Sequence, residues 1–296
     1  MTDNPVLAPG RTVARVESKR RLGPDAQSDD KALIFFPGDP AMTDPFIALV
    51  EDWFSTTGFN WHPHRGIETV TTVIDGVLEH GDNRGNVGAL ERGDVQWMTA
   101  GYGIIHRELA YRDEHVHTLQ LWLNLPATRK LTDSRYQDLL TPSRPRITRP
   151  GAVIDIVSGT VDGVSGPALN HVDVQAVMIT LEPQASLAYV LPAGHRAFTH
   201  VLSGQVTVAG RTIDTGQTAW SDPMTGTGDS VLLLATPDTR GPSQLMIYSG
   251  TPLREPVVAS GPFVMNSRAE IAQAYADFHA GKFGDVPRQA RLDYDR

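Results

Sequence analysis

Alternation with a period of two dominates the hydrophobic pattern of this chain. Glu68 to Leu78 reads ETVTTVIDGVL, rich in β-branched residues and interrupted by Asp75-Gly76, a dipeptide of the hairpin type. The pattern predicts strand, turn, strand. It returns at Phe198 to Val208, FTHVLSGQVTV, where Ser203-Gly204 takes the place of the earlier turn, an offset of 128 between Gly76 and Gly204. A second landmark repeats in the same order: Gly93-Asp-Val-Gln-Trp97 has the counterpart Gly216-Gln-Thr-Ala-Trp220. Two similar units of short strands predict an all-β protein made of two tandem antiparallel barrels, whose closure removes exposed edges.

Between the repeats, TPSRPRITRPG (Thr141 to Gly151) reads as a linker. The expected division is therefore residues 1–140 for the first barrel, 141–151 for the linker, and 152–296 for the second barrel with a short C-terminal helix. That helix is marked by Ser267 and Glu270 as a capping box, by Ile271, Ala274, Tyr275 and Phe278 at helical spacing, and by Gly281 as a stop. A further short helix is expected in Leu131 to Leu140, and the polar tail after Gly284 reads as loose.

Composition narrows the function classes. The 26 basic and 34 acidic residues give a net charge of −8, and the basic ones are dispersed, which argues against direct nucleic-acid binding. Arg129, Arg135, Arg144, Arg146 and Arg149 gather near the middle but are interleaved with Pro, Ser and Thr, as a solvated linker would be. The start, MTDNPVLAPGRTVARV, has no apolar core for a signal peptide, and no apolar run reaches the ~18 residues of a membrane span. A cytoplasmic monomer is expected. With no cysteine, any metal must be held by nitrogen and oxygen.

The residues that carry chemistry lie between Gly58 and Glu108. His62-Pro-His64 precedes the first alternating segment, and His106-Arg-Glu108 follows about forty residues later. Each pair is spaced i, i+2, which on a strand sends both side chains to one face. Two such strands facing one another complete a four-ligand site of three imidazoles and a carboxylate, suited to iron, nickel, copper, manganese or zinc. Iron, as Fe(II)/Fe(III), is the first choice, because four protein ligands leave open positions for dioxygen and a chelating substrate. Glu68, four residues after His64, reads as a fifth ligand or, preferentially, as a carboxylate that orients an imidazole. His115, His117, His195 and His200 lack comparable partners and read as structural, with His117 the next candidate. In the second unit the positions equivalent to the ligands are Val190, Pro192, Asp229 and Val231, so no metal is expected there.

At HPHRGIETVTTVIDG, HGDNRGN, GDVQWMTAGYGIIHRE, HTLQLWLNLP and PLREPVVASGPFVMN, between Asp44 and Phe283, the chain resembles the pirin family. The resemblance implies two cupin barrels, with a single metal, usually iron, in the first. It carries the ligand roles over to His62, His64, His106 and Glu108. It also implies a flavonol 2,4-dioxygenase of the quercetinase type, with a small aromatic substrate and dioxygen, in which Glu108 or Glu68 takes a proton. The other behaviour it implies is redox-sensitive regulation of a partner enzyme or transcription factor, and a different cupin reaction on a small metabolite is a third option. Three positions depart from the family pattern: Tyr102 replaces an Arg expected at the pocket mouth, Trp61 precedes the first ligand, and Asn83 replaces a common Ser.

Overall fold

The computed structural model describes residues 9–36, 39–222, 228–237 and 241–287; most of the expected loose tail lies outside them. The architecture is antiparallel β-sheet nearly throughout, as the alternation predicts. No helix among the described residues is long and apolar enough to cross a membrane.

Two compact units are present. Of the described residues, 20–143, 168–172 and 253–287 belong to the first, and 9–19, 144–167 and 173–252 to the second. The expected division into 1–140 and 152–296 is thus crossed at both ends. Val13–Ser18 is a strand of the second unit, hydrogen-bonded to Gln217–Ser221. The C-terminal helix, expected with the second barrel, packs its buried Ile271 and Ala274 against Ile105 of the first. Nor is 141–151 a free linker: Arg146–Arg149 pairs with Ala152–Ser158. Arg144 is buried, its guanidinium forked onto Asp155 at 2.8 and 2.9 Å. The planar match of guanidinium to carboxylate takes this one arginine of the group out of water.

Asp75-Gly76 is not a hairpin. One strand runs through it from Ile67 to Asp82. Its first part pairs with Val95–Thr99 and Val116–Asn124, its second with Val87–Glu91 and Ile104–Ala110. The dipeptide therefore bends the strand from one pair of neighbours to the other. Only glycine fits, since Gly76 has φ +77° and a Cβ there would stand 2.0 Å from the His115 carbonyl oxygen. Ser203-Gly204 does the same in the second unit: Arg196–Ser203 and Gln205–Val208 flank Gly204 but pair with different strands.

The segment expected as a helix at 131–140 instead contains the strand Arg135–Leu139, which pairs with Val95–Thr99. The open edge of that strand supplies the partner, and sheet pairing overrides a weak helical preference. The C-terminal helix forms where expected, at Arg268–His279. Ser267 Oγ accepts from the Glu270 amide at 3.3 Å, while Glu270 reaches back to the Asn266 amide at 3.1 Å.

Candidate metal centre

Gly58–His64 and Ile104–Ala110 pair antiparallel, with His62 opposite His106 and Phe59 opposite Glu108. Residues two apart on each strand share a side, so His62, His64 and His106 converge. Their ring centroids are 4.2 to 5.0 Å apart, and one ligating nitrogen of each lies within 4.8 Å of the others. This is the one group of three such side chains at that closeness among the described residues.

Each ring is fixed through Nδ1. His62 Nδ1 lies 2.7 Å from the Asn60 carbonyl oxygen, His64 Nδ1 3.1 Å from that of Pro262, and His106 Nδ1 2.8 Å from Nε2 of His80. A carbonyl only accepts, so His62 and His64 carry their proton on Nδ1 and present the Nε2 lone pair. The Nε2 atoms of His64 and His106 are buried and have no hydrogen-bond partner among the described residues. Buried polar atoms are nearly always satisfied, and a metal ion would satisfy both. Burial and the neighbouring imidazoles hold the set neutral: His64 is pushed down to about 3, and His106 well below its ordinary value. Neutral imidazole is the form that binds metal.

Glu108 stands on the same strand as His106, two residues on, but its carboxylate is not part of the histidine cluster. One oxygen accepts from Thr71 Oγ1 at 2.8 Å and the other from Gln120 Nε2 at 2.7 Å. Burial pushes its pKa up to about 7, against the pull of those two donors. Gln120 is itself oriented, since its Oε1 accepts from Trp122 Nε1 at 2.9 Å.

Glu68 does not orient an imidazole. Its oxygens accept from Trp97 Nε1 at 3.0 Å and Thr99 Oγ1 at 2.7 Å. It lies on the face of the long strand opposite to Thr71, which bonds Glu108. The parity shared with His64 is interrupted at Gly66, φ +80°, where one strand ends and the next begins. The ring of Tyr102 lies 4.7 Å from the guanidinium carbon of Arg65. His117, the reserve candidate, bonds Glu51 at 2.8 Å and stacks on Trp53 at 4.3 Å. His195 bonds Ser249 and Asp173, and His200 bonds Thr218. Val190 and Val231 face one another across a strand pair of the second unit.

His80 is the site residue that sequence reasoning missed. It is buried, and burial pushes its pKa down to about 3. The signal available was its place in HGDNRGN. The long strand carries an extra residue at Ile74, where His117 and Thr118 are opposite Asp75 and Val73. That bulge puts Thr71 and His80 on the same side despite their opposite parity.

Two β-barrel units, the first with a largely buried histidine triad, define the chain as a two-domain cupin with a candidate metal centre. It belongs to the pirin family: the pirin signature matches residues 19–123, and that of the pirin C-terminal cupin domain residues 176–284. Pirin-1 of Arabidopsis thaliana is 38% identical over 248 residues, 83% of this chain and 85% of that protein. Pirin of Homo sapiens is 37% identical, covering 77% and 78%. The crystal structure of quercetin 2,3-dioxygenase from Acinetobacter baumannii superposes with a TM-score of 0.83 at 27% identity, covering 94% of this chain and all of that one.

Proposed function

We propose that this pirin is a quercetinase-type dioxygenase holding one transition-metal ion, iron by preference, on His62, His64, His106 and Glu108. The observation that carries the reading is the pair of buried, unpartnered Nε2 atoms on His64 and His106, beside the imidazole of His62. Three neutral imidazoles and a carboxylate, in a chain without cysteine, suit a first-row metal. When bound, such a metal supplies open positions for a chelating substrate and dioxygen.

The surrounding residues favour a flat aromatic substrate. The ring of Phe59 lies 6.2 Å from His62, and that of Trp122 lies 5.1 Å from His64, so apolar walls flank the triad on two sides. A flavonol would enter with its 3-hydroxyl and neighbouring carbonyl toward the imidazoles. Glu108 takes the hydroxyl proton, and Thr71 and Gln120 hold the carboxylate for that transfer. Glu68, facing away, has no part in it. Overall, both atoms of one dioxygen enter the ring and one ring carbon leaves as carbon monoxide.

The test is to purify the protein without a chelating tag, measure bound metal by elemental analysis, and follow oxygen uptake with quercetin for wild type and His62→Ala. Near-stoichiometric metal and turnover, both lost in the variant, is the expected result. Metal without oxygen uptake would sink the dioxygenase reading in favour of a regulatory role, and no metal in any preparation would remove the site itself.

A further inference from the structure

The outward-facing neighbours of the ligands are covered by one stretch of chain that follows the second barrel. Trp61 and Ile105, each next to a ligand histidine, pack into an apolar cluster with Phe263, Met265, Ile271, Ala274 and Phe283. The same stretch reaches the ligand itself, because the carbonyl that fixes His64 Nδ1 belongs to Pro262, at the turn between the short strands Val258–Ser260 and Phe263–Met265.

Polar contacts lock this stretch to the ligand strands. The Val264 amide donates to the Arg65 carbonyl at 3.1 Å. Lys130 Nζ, buried, donates at 2.8 Å to both Gly66 O and Val264 O, and so ties the residues after His64 to those after Pro262. Arg65 Nη1 bonds Asp277 of the C-terminal helix at 2.9 Å, with its guanidinium 4.7 Å from the rings of Tyr102 and Phe283. On the second ligand strand, Asn83 joins the Phe283 carbonyl, at 2.8 Å, to the amide of Ile105, at 3.1 Å.

We propose that residues 258–284 are a positioning element of the metal centre: their docking sets metal affinity through the rotation of His64, and metal binding in turn tightens their docking. The inference rests on the reading of the triad as metal ligands. Nδ1 of a ligating imidazole needs a fixed acceptor to hold the ring in place, and loss of such a partner lowers affinity by about 10- to 100-fold. Here that acceptor is a backbone oxygen, so its place depends on how the whole stretch is docked. Coupling is reciprocal, so whatever factor docking adds to metal affinity, the metal returns to docking. Arg65, Lys130 and Asp277 are positioning residues on this account.

The experiment uses the full-length protein, stripped with a chelator and reloaded with cobalt(II). Hydrogen exchange is compared between the two forms over the helix Arg268–His279, with Ser230–Ala235 of the second unit as the internal reference. Exchange in the helix is expected to slow by about tenfold on loading, with the reference strand unchanged. In parallel, Asp277→Asn, which keeps the shape of the side chain, is expected to raise the cobalt dissociation constant by about tenfold. Cobalt bound one per chain with unchanged helix exchange, or with wild-type affinity in Asp277→Asn despite a lowered Tm, overturns the positioning role while leaving the metal site intact. Failure of the wild type to bind cobalt overturns the metal reading and this inference with it.

Discussion

His80 Nε2 lies 2.8 Å from His106 Nδ1, at the centre of a buried set of imidazoles, and it is the side-chain contact that fixes the rotation of His106. If His106 binds metal through Nε2, its Nδ1 carries the proton and donates it to His80. His80→Phe keeps a ring of similar size but removes that acceptor. Metal affinity, read by chelator competition, should fall by about 10- to 100-fold, while the far-UV circular dichroism stays that of wild type. Unchanged affinity would mean that His106 is held by packing alone.

Glu68 is a buried carboxyl whose two side-chain hydrogen-bond donors have different freedom, with Arg135 standing 3.9 Å from one of its oxygens. Trp97 Nε1 can only donate, whereas the Thr99 hydroxyl can rotate to accept. Glu68→Gln should therefore keep both contacts, with its amide oxygen on Trp97 and its nitrogen on Thr99. Stability within about 1 kcal/mol of wild type is expected, with bound metal and oxygen uptake unchanged. Glu68→Ala leaves the Trp97 N–H buried and unpaired, and should cost about 2–4 kcal/mol in urea unfolding. Loss of turnover in Glu68→Gln at full metal loading would restore Glu68 to the chemistry.

The same pair of carboxylates marks where the sequence is legible and where it is not. His62, His64 and His106 could be read directly because an i, i+2 pair shares a face on any strand, whatever that strand pairs with. Glu68 was misassigned because parity was carried across Gly66, where the chain leaves one strand and starts another. His80 escaped for the converse reason: the bulge at Ile74 inverts parity within a single strand, and a bulge has no signature in the residue pattern. Asp75-Gly76 reads as a hairpin turn but is a bend within one strand, because a bend and a reversal can both demand a glycine at positive φ. The helix after Ser267 was readable from its cap, while the surface it covers depends on long-range packing that no local pattern encodes.

Two glycines with positive φ should behave differently. Gly76 faces the His115 carbonyl oxygen 2.0 Å from where a Cβ would stand, whereas nothing lies within 4 Å of such an atom at Gly85. Gly85→Ala meets only the left-handed backbone penalty, about 1 kcal/mol. Gly76→Ala adds a clash with main chain and should cost about 3 kcal/mol or more, seen as a lower urea midpoint. Equal costs would mean that the strand bends without needing the missing side chain.

Asp52 gives a pH dependence with a defined sign. Burial, opposed by nearby Lys31 and by the Ser28 hydroxyl, pushes its pKa up from 3.8 to about 6. A carboxyl with a raised folded-state pKa stabilises the fold while protonated, and that contribution is lost as pH climbs from about 4 through 6. Asp52→Asn stays neutral at every pH. Its Tm relative to wild type should therefore rise between pH 4 and 6 and level off above, with a limiting difference on the order of 3 kcal/mol. A constant difference across this range would mean that Asp52 is ionised without penalty, through Lys31.

Glu108 is the residue on which catalysis and metal binding can be separated. Glu108→Gln keeps a hydrogen-bonding side chain beside Thr71 and Gln120 but cannot accept a proton at neutral pH. If Glu108 takes the flavonol hydroxyl proton, oxygen uptake with quercetin should fall by about 10²- to 10⁴-fold. The three imidazoles remain, so metal should still be retained on elemental analysis, with weaker resistance to chelators than in wild type. Full turnover in the variant would remove Glu108 as the base. Loss of metal together with turnover would mean that its carboxylate is needed first as a ligand, and the proton-transfer role would then have to be tested in Gln120→Glu, where a second carboxyl is placed 2.7 Å from the first and raises its proton affinity.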